Sequence, residues 1–331
     1  MQVITDLTQR PWADQRAVIT IGAYDGVHRG HQAVISEVKQ LATENGCRSV
    51  VVTFDRHPAS IVRPESAPKL LTDLDQKLEL LAATGVDATV LVRFDEQQSF
   101  ESATDFVQRV LVQRLSAREV WVGPKFRFGH GREGDFASLQ RLGNEHGFSA
   151  QAITPVLLDG ERVSSSAIRS QLAAGNLDGA ARALGRPYAI AGTVVHGRQL
   201  GRKLGYPTAN LRLQGKTPAL GGIYASRVHG VGAWPWPSVS SLGTRPTVQR
   251  AGSAKAEPLL EAHLFDFDAD LYGQRIEVEF VAKLRDEEKF DDLDALIAQM
   301  HRDAAQARAI LRADFDNATM RHMDAPSTSH A

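Results

Sequence analysis

The sequence predicts a mainly parallel α/β domain followed by an antiparallel β-barrel that carries a terminal helix. Three observations predict it. The first half alternates apolar, strand-like runs with helical segments. From Tyr188 onward the runs are short and separated by Gly and Pro. The length, 331 residues, exceeds one ordinary domain core and fits two, since domains run about 100 to 200 residues.

In chain order, AVITIG (17–22) reads as the first strand, and a helix begins near Arg29. SVVVTF (49–54), a helix near 73–83 and ATVLVRF (88–94) continue the rhythm. A helix over 102–115, EVWVG (119–123), a helix over 134–146 and SAQAITPV (149–156) complete the series. Strands joined by helices pair in parallel, and such a sheet is covered on both faces. Ser164, Ser165 and Ser166 then offer hydroxyls as N-caps to a short helix. A second helix over 176–184 stops at Gly185-Arg186-Pro187, which divides a domain of residues 1–186 from one of residues 187–315. IAGTVV, GIYASRV, LLEAHLF and RIEVEFVAKL, between Tyr188 and Leu284, supply barrel strands. Tyr224 is expected to pack inside that barrel, and WPW (234–236) reads as a Pro-rich turn without assigned chemistry. DDLDALIAQMHRDAAQARAIL (291–311) has apolar residues at helical spacing and should pack on the barrel. Residues 316–331 read as a disordered tail.

Composition narrows the function classes. Apolar residues make up 43% and charged residues 23%, which are globular proportions. No stretch approaches the roughly 18 apolar residues of a membrane span, so no membrane association is expected. The opening residues lack a basic start followed by an apolar core, so export is not expected either. The lone Cys47 can form neither an internal disulfide nor a thiolate metal cage, which points to the reducing cytoplasm. A formal charge of −1 gives no positive excess for holding nucleic acid through counterion release. Nothing in the composition specifies an oligomeric state.

Two segments carry chemistry. In ITIGAYDGVHRGHQ, Gly22 closes an apolar strand, and His28, Gly30 and His31 open a helix. Free N–H groups and the positive end of the helix dipole attract an anion there, and Gly30 lets a phosphate approach the backbone. His28 and His31, three apart, can both donate to one phosphate chain. An isolated His pair at a helix start is more often a cap or a surface feature; the strand, the glycine turn and the HxGH spacing together outweigh that. GHGREG (129–134) matches a dinucleotide-binding glycine pattern but does not directly follow its strand, so a mobile or ligand-covering loop is expected there instead.

The second segment is GTVVHGRQLGRKLGYPTANL (192–211). It lacks the Lys-Ser or Lys-Thr that follows the last glycine of a Walker loop. Thr208 and Asn210 place a hydroxyl and an amide oxygen two residues apart, suited to Mg²⁺, while Gly197, Gly201 and Gly205 permit backbone N–H groups to surround phosphate. For the glycines alone, a solvated hairpin would be the better reading.

The HxGH segment resembles the signature of the nucleotidyltransferase superfamily, and VSSSAIRSQL (163–172) resembles that superfamily's Ser-Ser-Thr-x-x-Arg helix. FDRHP (54–58), LLTDLDQKLELL and VGPKFRFGHGREGD resemble the adenylyltransferase module of bacterial bifunctional riboflavin kinase/FAD synthetases. GxxxGRxLGYPTAN, SLGTRPTV (241–248), LEAHLFDFDADLYG (260–273) and LRDEEKF (284–290) resemble the riboflavin kinase motifs, in order. The resemblance implies an HxGH-type, Rossmann-like nucleotidyltransferase domain and a riboflavin kinase barrel. It also implies riboflavin, FMN and ATP as substrates, Mg²⁺ as cofactor, and FMN and FAD as products. By the same resemblance His28, His31 and Arg169 act on the adenylyl donor, and Gly22, Asp25, Gly30, Ser164, Ser165 and Ser166 bind its ATP. Gly197, Gly201, Gly205 and Thr208 bind the kinase ATP, Thr208 and Asn210 the metal, and Glu261 is the base. Lys125, Arg285, Glu287 and Phe290 face flavin. Tyr24, Arg56 and Ser166 stand where the family has Phe, Pro and Thr, and Lys125 stands where it has Asn or Asp. The Lys125 change exchanges an acceptor for a donor and motivates one alternative, a riboflavin kinase with an impaired adenylyltransferase half; an alternative of another class is a non-catalytic flavin-binding regulator that kept the fold.

Overall fold

A computed structural model describes residues 1–12, 14–197, 201, 204–213, 218–244 and 258–323. The chain divides into two compact units, Met1–Ile168 with Ala183–Gly185, and Arg169–Arg182 with Arg186–Ala331.

The first unit is a six-stranded sheet in the order β1-β4-β3-β2-β5-β6, every pair parallel. Its strands are β1 (Gln2–Ile4), β2 (Ala17–Ile21), β3 (Arg48–Phe54), β4 (Ala88–Val92), β5 (Ala117–Val122) and β6 (Ser149–Ala152). The continuous apolar runs are buried on both faces, as a parallel sheet requires. Val18 and Val51 point to a core shared with Val34, Ile35 and Val38 of α1 (Arg29–Glu44). Ile19 and Val52 point the other way, toward Phe106, Val107 and Leu111. The helices α2 (Ala59–Val62), α3 (Leu74–Ala83), α4 (Ala103–Phe106), α5 (Phe136–His146), α6 (Ser165–Ala173) and α7 (Leu177–Leu184) follow in chain order. The single helix expected over 102–115 is α4 continued by a π-helical segment, Val107–Arg114.

Two details depart from the sequence reading. The edge strand β1, three residues long, was not anticipated, and the last expected strand ends at Ala152. A two-stranded hairpin, β7 (Leu157–Leu158) and β8 (Glu161–Arg162), follows it.

The second unit is a closed barrel, in the order β10-β13-β12-β11-β14-β9. Its strands are β9 (Ala189–Val195), β10 (Ala209–Arg212), β11 (Gly222–His229), β12 (Trp236–Thr244), β13 (Pro258–Leu264) and β14 (Arg275–Arg285), all antiparallel. Closure removes the edges that an open antiparallel sheet would expose. Alternate residues fill the interior: Tyr224, Val228, Leu260, Ala262, Val278 and Phe280 are buried. Tyr224 lies inside as expected, its hydroxyl donating to the Gly221 carbonyl at 2.9 Å. Trp236 belongs to β12 and not to a turn, with its indole N–H donating to the Phe265 carbonyl at 2.6 Å.

The terminal helix α8 (Leu293–Met323) packs Ala304, Ala307 and Leu311 against Ala225 and Phe265 on the outer barrel wall. It continues past Asp316, where the sequence reading begins its tail; residues 324–331 lie outside the described residues. Parts of two motifs, 198–200 with 202–203 and 245–248, lie outside them as well.

Candidate active sites

In the first unit the chain leaves β2, runs β3 and β4 to one side, then returns to place β5 on the other side of β2. Beside the carboxyl ends of these strands the connections diverge, which is where open α/β sheets bind ligands. The turn 22–28 leaves β2 there, and the loop that carries Lys125 leaves β5 there. Lys125 itself is exposed.

The 22–28 turn is strained and tightly held. Tyr24 and Val27 have φ of 52° and 39°, conformations that are costly for residues with a Cβ and especially for a β-branched one. What over-determines them is a buried carboxylate. Asp25, 5% exposed, accepts from Leu71 N at 2.9 Å, from Thr72 N at 3.0 Å and from the Thr72 hydroxyl at 3.3 Å. Tyr24 is buried with its hydroxyl 2.6 Å from that of Thr20, and burial raises its pKa. Asp25, expected on ATP, is thus turned inward to brace the turn.

His28 is the N-cap of α1, its Nδ1 accepting from His31 N at 3.3 Å. The two imidazoles stack with centroids 3.6 Å apart at 15°. A Cβ at Gly30 would stand 3.1 Å from the His28 ring, so glycine lets that ring lie over the first helical turn. No acidic residue occupies the first turn, leaving the positive helix end to an anion. The Nδ1 of His31 is buried and has no hydrogen-bond partner among the described residues. Burial, then the fields of His28 and Lys77, hold the His31 pKa well below its ordinary value.

Lys77 was missed by the sequence reading. It is 7% exposed, and its ammonium donates to the Phe54 carbonyl at 2.7 Å at the end of β3. Burial pushes its pKa down to about 8 against the upward pull of Asp25 and Asp55. Its signal was a cation four residues before Leu81, on the buried stripe of α3.

The serine helix reaches the same turn. Ser164 caps α6 by accepting from Ala167 N at 3.2 Å, and the Ser165 hydroxyl donates to the Asp25 carbonyl at 2.9 Å. Ser166 follows, and Arg169 lies one turn further along, where the chain passes into the second unit. The two motifs, 140 residues apart, are thus joined at Asp25 and Ser165. The GHGREG loop is tied to the segment leading into α4: Glu133 accepts from Ala103 N at 2.8 Å and His130 N donates to the Glu101 carbonyl at 2.8 Å.

In the second unit a cavity of about 360 Å³ opens between the outer barrel wall and α8. Gly201, Tyr206 and Thr208 line it from the glycine-rich turn, and Glu261 and His263 from β13. Arg285, Met300 and Asp303 form the side nearer α8. Glu261 stands directly opposite Asn210 in the β10–β13 register, so both side chains share one face. Asn210 is 5% exposed; its amide nitrogen donates to the Thr208 carbonyl at 3.2 Å, and its buried Oδ1 has no hydrogen-bond partner among the described residues. A Cβ at Gly197 would lie 2.6 Å from that amide, so Gly197 closes backbone over it. Gly205, at φ 83°, turns the chain into the Pro-Thr-Ala-Asn segment.

The residues expected to face flavin are only partly brought together. Arg285 lines the cavity, but its guanidinium is paired with Asp303 of α8 at 2.8 Å and is 5.7 Å from the Phe290 ring. Phe290 and Glu287 stand outside the cavity lining, with the Glu287 carboxylate over Gly243 in the space a side chain there would fill. Tyr206, His263, His301 and Asp303 were not anticipated. The Tyr206 hydroxyl is 2.5 Å from His301 Nδ1 of α8. Burial, against the Pro207 carbonyl, lowers the His263 pKa.

The two motif-bearing turns, one in each unit, and the family matches put the chain among the ATP-dependent transferases. Residues 10–167 match the family model described as FAD synthetase, and residues 184–311 the one described as riboflavin kinase. The bifunctional riboflavin kinase/FMN adenylyltransferase of Pseudomonas fluorescens is 43% identical over 94% of this chain and 98% of its own. That of Escherichia coli K12 is 42% identical over 92% and 95%. A crystal structure described as a macrolide-efflux protein from Streptococcus pneumoniae shares the fold at TM-score 0.71, with 26% identity over 91% of this chain and 96% of that one. The chain belongs to the bifunctional riboflavin kinase/FMN adenylyltransferase family.

Proposed function

We propose that this chain makes FAD from riboflavin in two ATP-dependent steps, with residues 187–315 phosphorylating riboflavin and residues 1–186 adenylylating the FMN. The observation that carries the reading is that two buried polar atoms, one in each motif, have no hydrogen-bond partner among the described residues: His31 Nδ1 and Asn210 Oδ1. A buried polar atom left unmatched costs about 1–3 kcal/mol, which a ligand atom would offset.

In the kinase step the riboflavin 5′-hydroxyl attacks the γ-phosphorus of ATP, a P–O bond forms, and ADP leaves. Glu261, on the cavity wall, takes the hydroxyl proton, while backbone N–H groups of the glycine-rich turn hold phosphate oxygens. Mg²⁺ fits the Thr208 hydroxyl and the Asn210 Oδ1, and it supplies neutralisation of phosphate charge when bound. Among the described residues no group of three or more His, Cys, Asp or Glu could hold a metal ion, so Thr208 and Asn210 would be the donors the protein offers.

In the adenylyl step an FMN phosphate oxygen attacks the α-phosphorus and pyrophosphate leaves. His28 and His31 at the start of α1 hold the departing charge, with Ser166 and Arg169 supporting the triphosphate. Lys77 adds a positive field beneath His31. Among the described residues no helix is long and apolar enough to cross a membrane, and the lone thiol suits the cytoplasm. Chromatography after incubation with riboflavin, ATP and Mg²⁺ tests the reading: FMN appears first and FAD follows. A sample that consumes no ATP and forms neither product refutes it, and FMN without FAD refutes the adenylyl half.

A further inference from the structure

We propose that His263 is a positioning residue of the kinase step, holding the turn that carries Thr208 and Asn210 in place against Glu261; this rests on reading the barrel as the riboflavin kinase. The His263 Nδ1 lies 2.8 Å from the Pro207 carbonyl oxygen. A carbonyl only accepts, so Nδ1 carries the proton and donates.

The turn's own bonds, Tyr206 N to the Gly201 carbonyl at 2.8 Å and the Asn210 amide to the Thr208 carbonyl at 3.2 Å, do not tie it to β13. The ladder of β10 begins at Ala209, so Tyr206, Pro207 and Thr208 precede it, and Pro207 has no N–H to anchor the turn from its other side. The tie comes from a rigid place. β13 is paired on both sides, with β10 and with β12, and Glu261 and His263 are two residues apart and share its outer face. The ring orientation is fixed as well, because His263 packs edge-on to Tyr206 at 4.9 Å and 65°, and to Phe265 at 5.7 Å and 79°. One strand therefore sets the position of the carboxylate directly and that of the Thr208–Asn210 turn through His263. Misplacing a reacting group by about 1 Å costs on the order of 100-fold in rate, which is the sensitivity such a tie controls.

Two variants of the full chain separate the donor from the ring. His263→Phe keeps an aromatic ring against Tyr206 and Phe265 but has no donor. His263→Asn keeps an N–H donor near the Nδ1 position and loses the ring. With His263→Phe, kcat for FMN formation should fall roughly 10- to 100-fold while the KM for riboflavin stays within about threefold. Calorimetric binding of ADP with Mg²⁺, without riboflavin, should weaken roughly tenfold in the same variant. His263→Asn should stay near wild type in both measurements. Formation of FAD from supplied FMN should be unchanged in both, and near-UV circular dichroism should report an intact barrel. The inference is overturned if His263→Phe matches wild type, or if His263→Asn is impaired as much as or more than His263→Phe. A wild-type sample that forms no FMN overturns the kinase reading beneath it, a result distinct from either.

Discussion

Replacing Asp25 with Ala should unfasten the turn that presents His28. The Asp25 carboxylate is the acceptor for two buried backbone N–H groups, Leu71 N at 2.9 Å and Thr72 N at 3.0 Å, and for the Thr72 hydroxyl at 3.3 Å. Leu71 is fully buried, so water does not reach its N–H without rearrangement. Each buried donor that loses its acceptor costs about 1–3 kcal/mol, and two cost roughly 2–6 kcal/mol. Some water entering the vacated space lowers the expected loss to about 2–4 kcal/mol. For a unit of this size that is a fall of roughly 4–16 °C in melting midpoint. The strained Tyr24 and Val27 lose the bracket that holds them, so the geometry at His28 relaxes together with stability. Thermal unfolding should show the loss in the parallel-sheet unit, and FAD formation from FMN should fall while FMN formation from riboflavin persists. A midpoint shift below about 2 °C with an unchanged rate of FAD formation would refute the account of Asp25 as a brace.

Three further outcomes are expected. Gly30→Ala places a Cβ 3.1 Å from the His28 ring and should lower FAD formation about 10- to 100-fold, measured with FMN and ATP, leaving FMN formation intact. Glu261→Gln should lower FMN formation roughly 10²- to 10⁴-fold and leave FAD formation from supplied FMN unchanged; an equal loss of both would contradict separate sites. His31 is held neutral in the folded protein well below its ordinary pKa of 6.5, so below that pH the unfolded chain gains a proton that the folded chain refuses. The stability is therefore present above pH 6.5 and is lost as pH falls toward the folded value, at up to about 1.4 kcal/mol per pH unit. Urea unfolding between pH 7.5 and pH 5.5, set against His31→Asn, checks it: the variant should show a flatter dependence.

The sequence by itself determined the two fold classes and located the two motif-bearing turns. Apolar runs with intervening helices force a covered parallel sheet, and short strands broken by Gly and Pro force an antiparallel one. The HxGH turn and the Pro-Thr-Ala-Asn turn were legible because their chemistry lies within consecutive residues, where a strand end, a glycine and a helix start act together. The three-residue β1 was too short to show any period.

Only the tertiary structure decided which partners the polar residues take. Asp25 braces residues 46 and 47 positions away, Arg285 is paired with Asp303, and Glu133 ties the glycine-rich loop to Ala103. Lys77 became a buried cation near His31 only when α3 packed under the end of β3. His263 met the Pro207 carbonyl across 56 residues through strand pairing. The reason is one of distance along the chain: a local window records the residue types, whereas burial and hydrogen-bond partners are set by segments that meet only when the sheet and the barrel close.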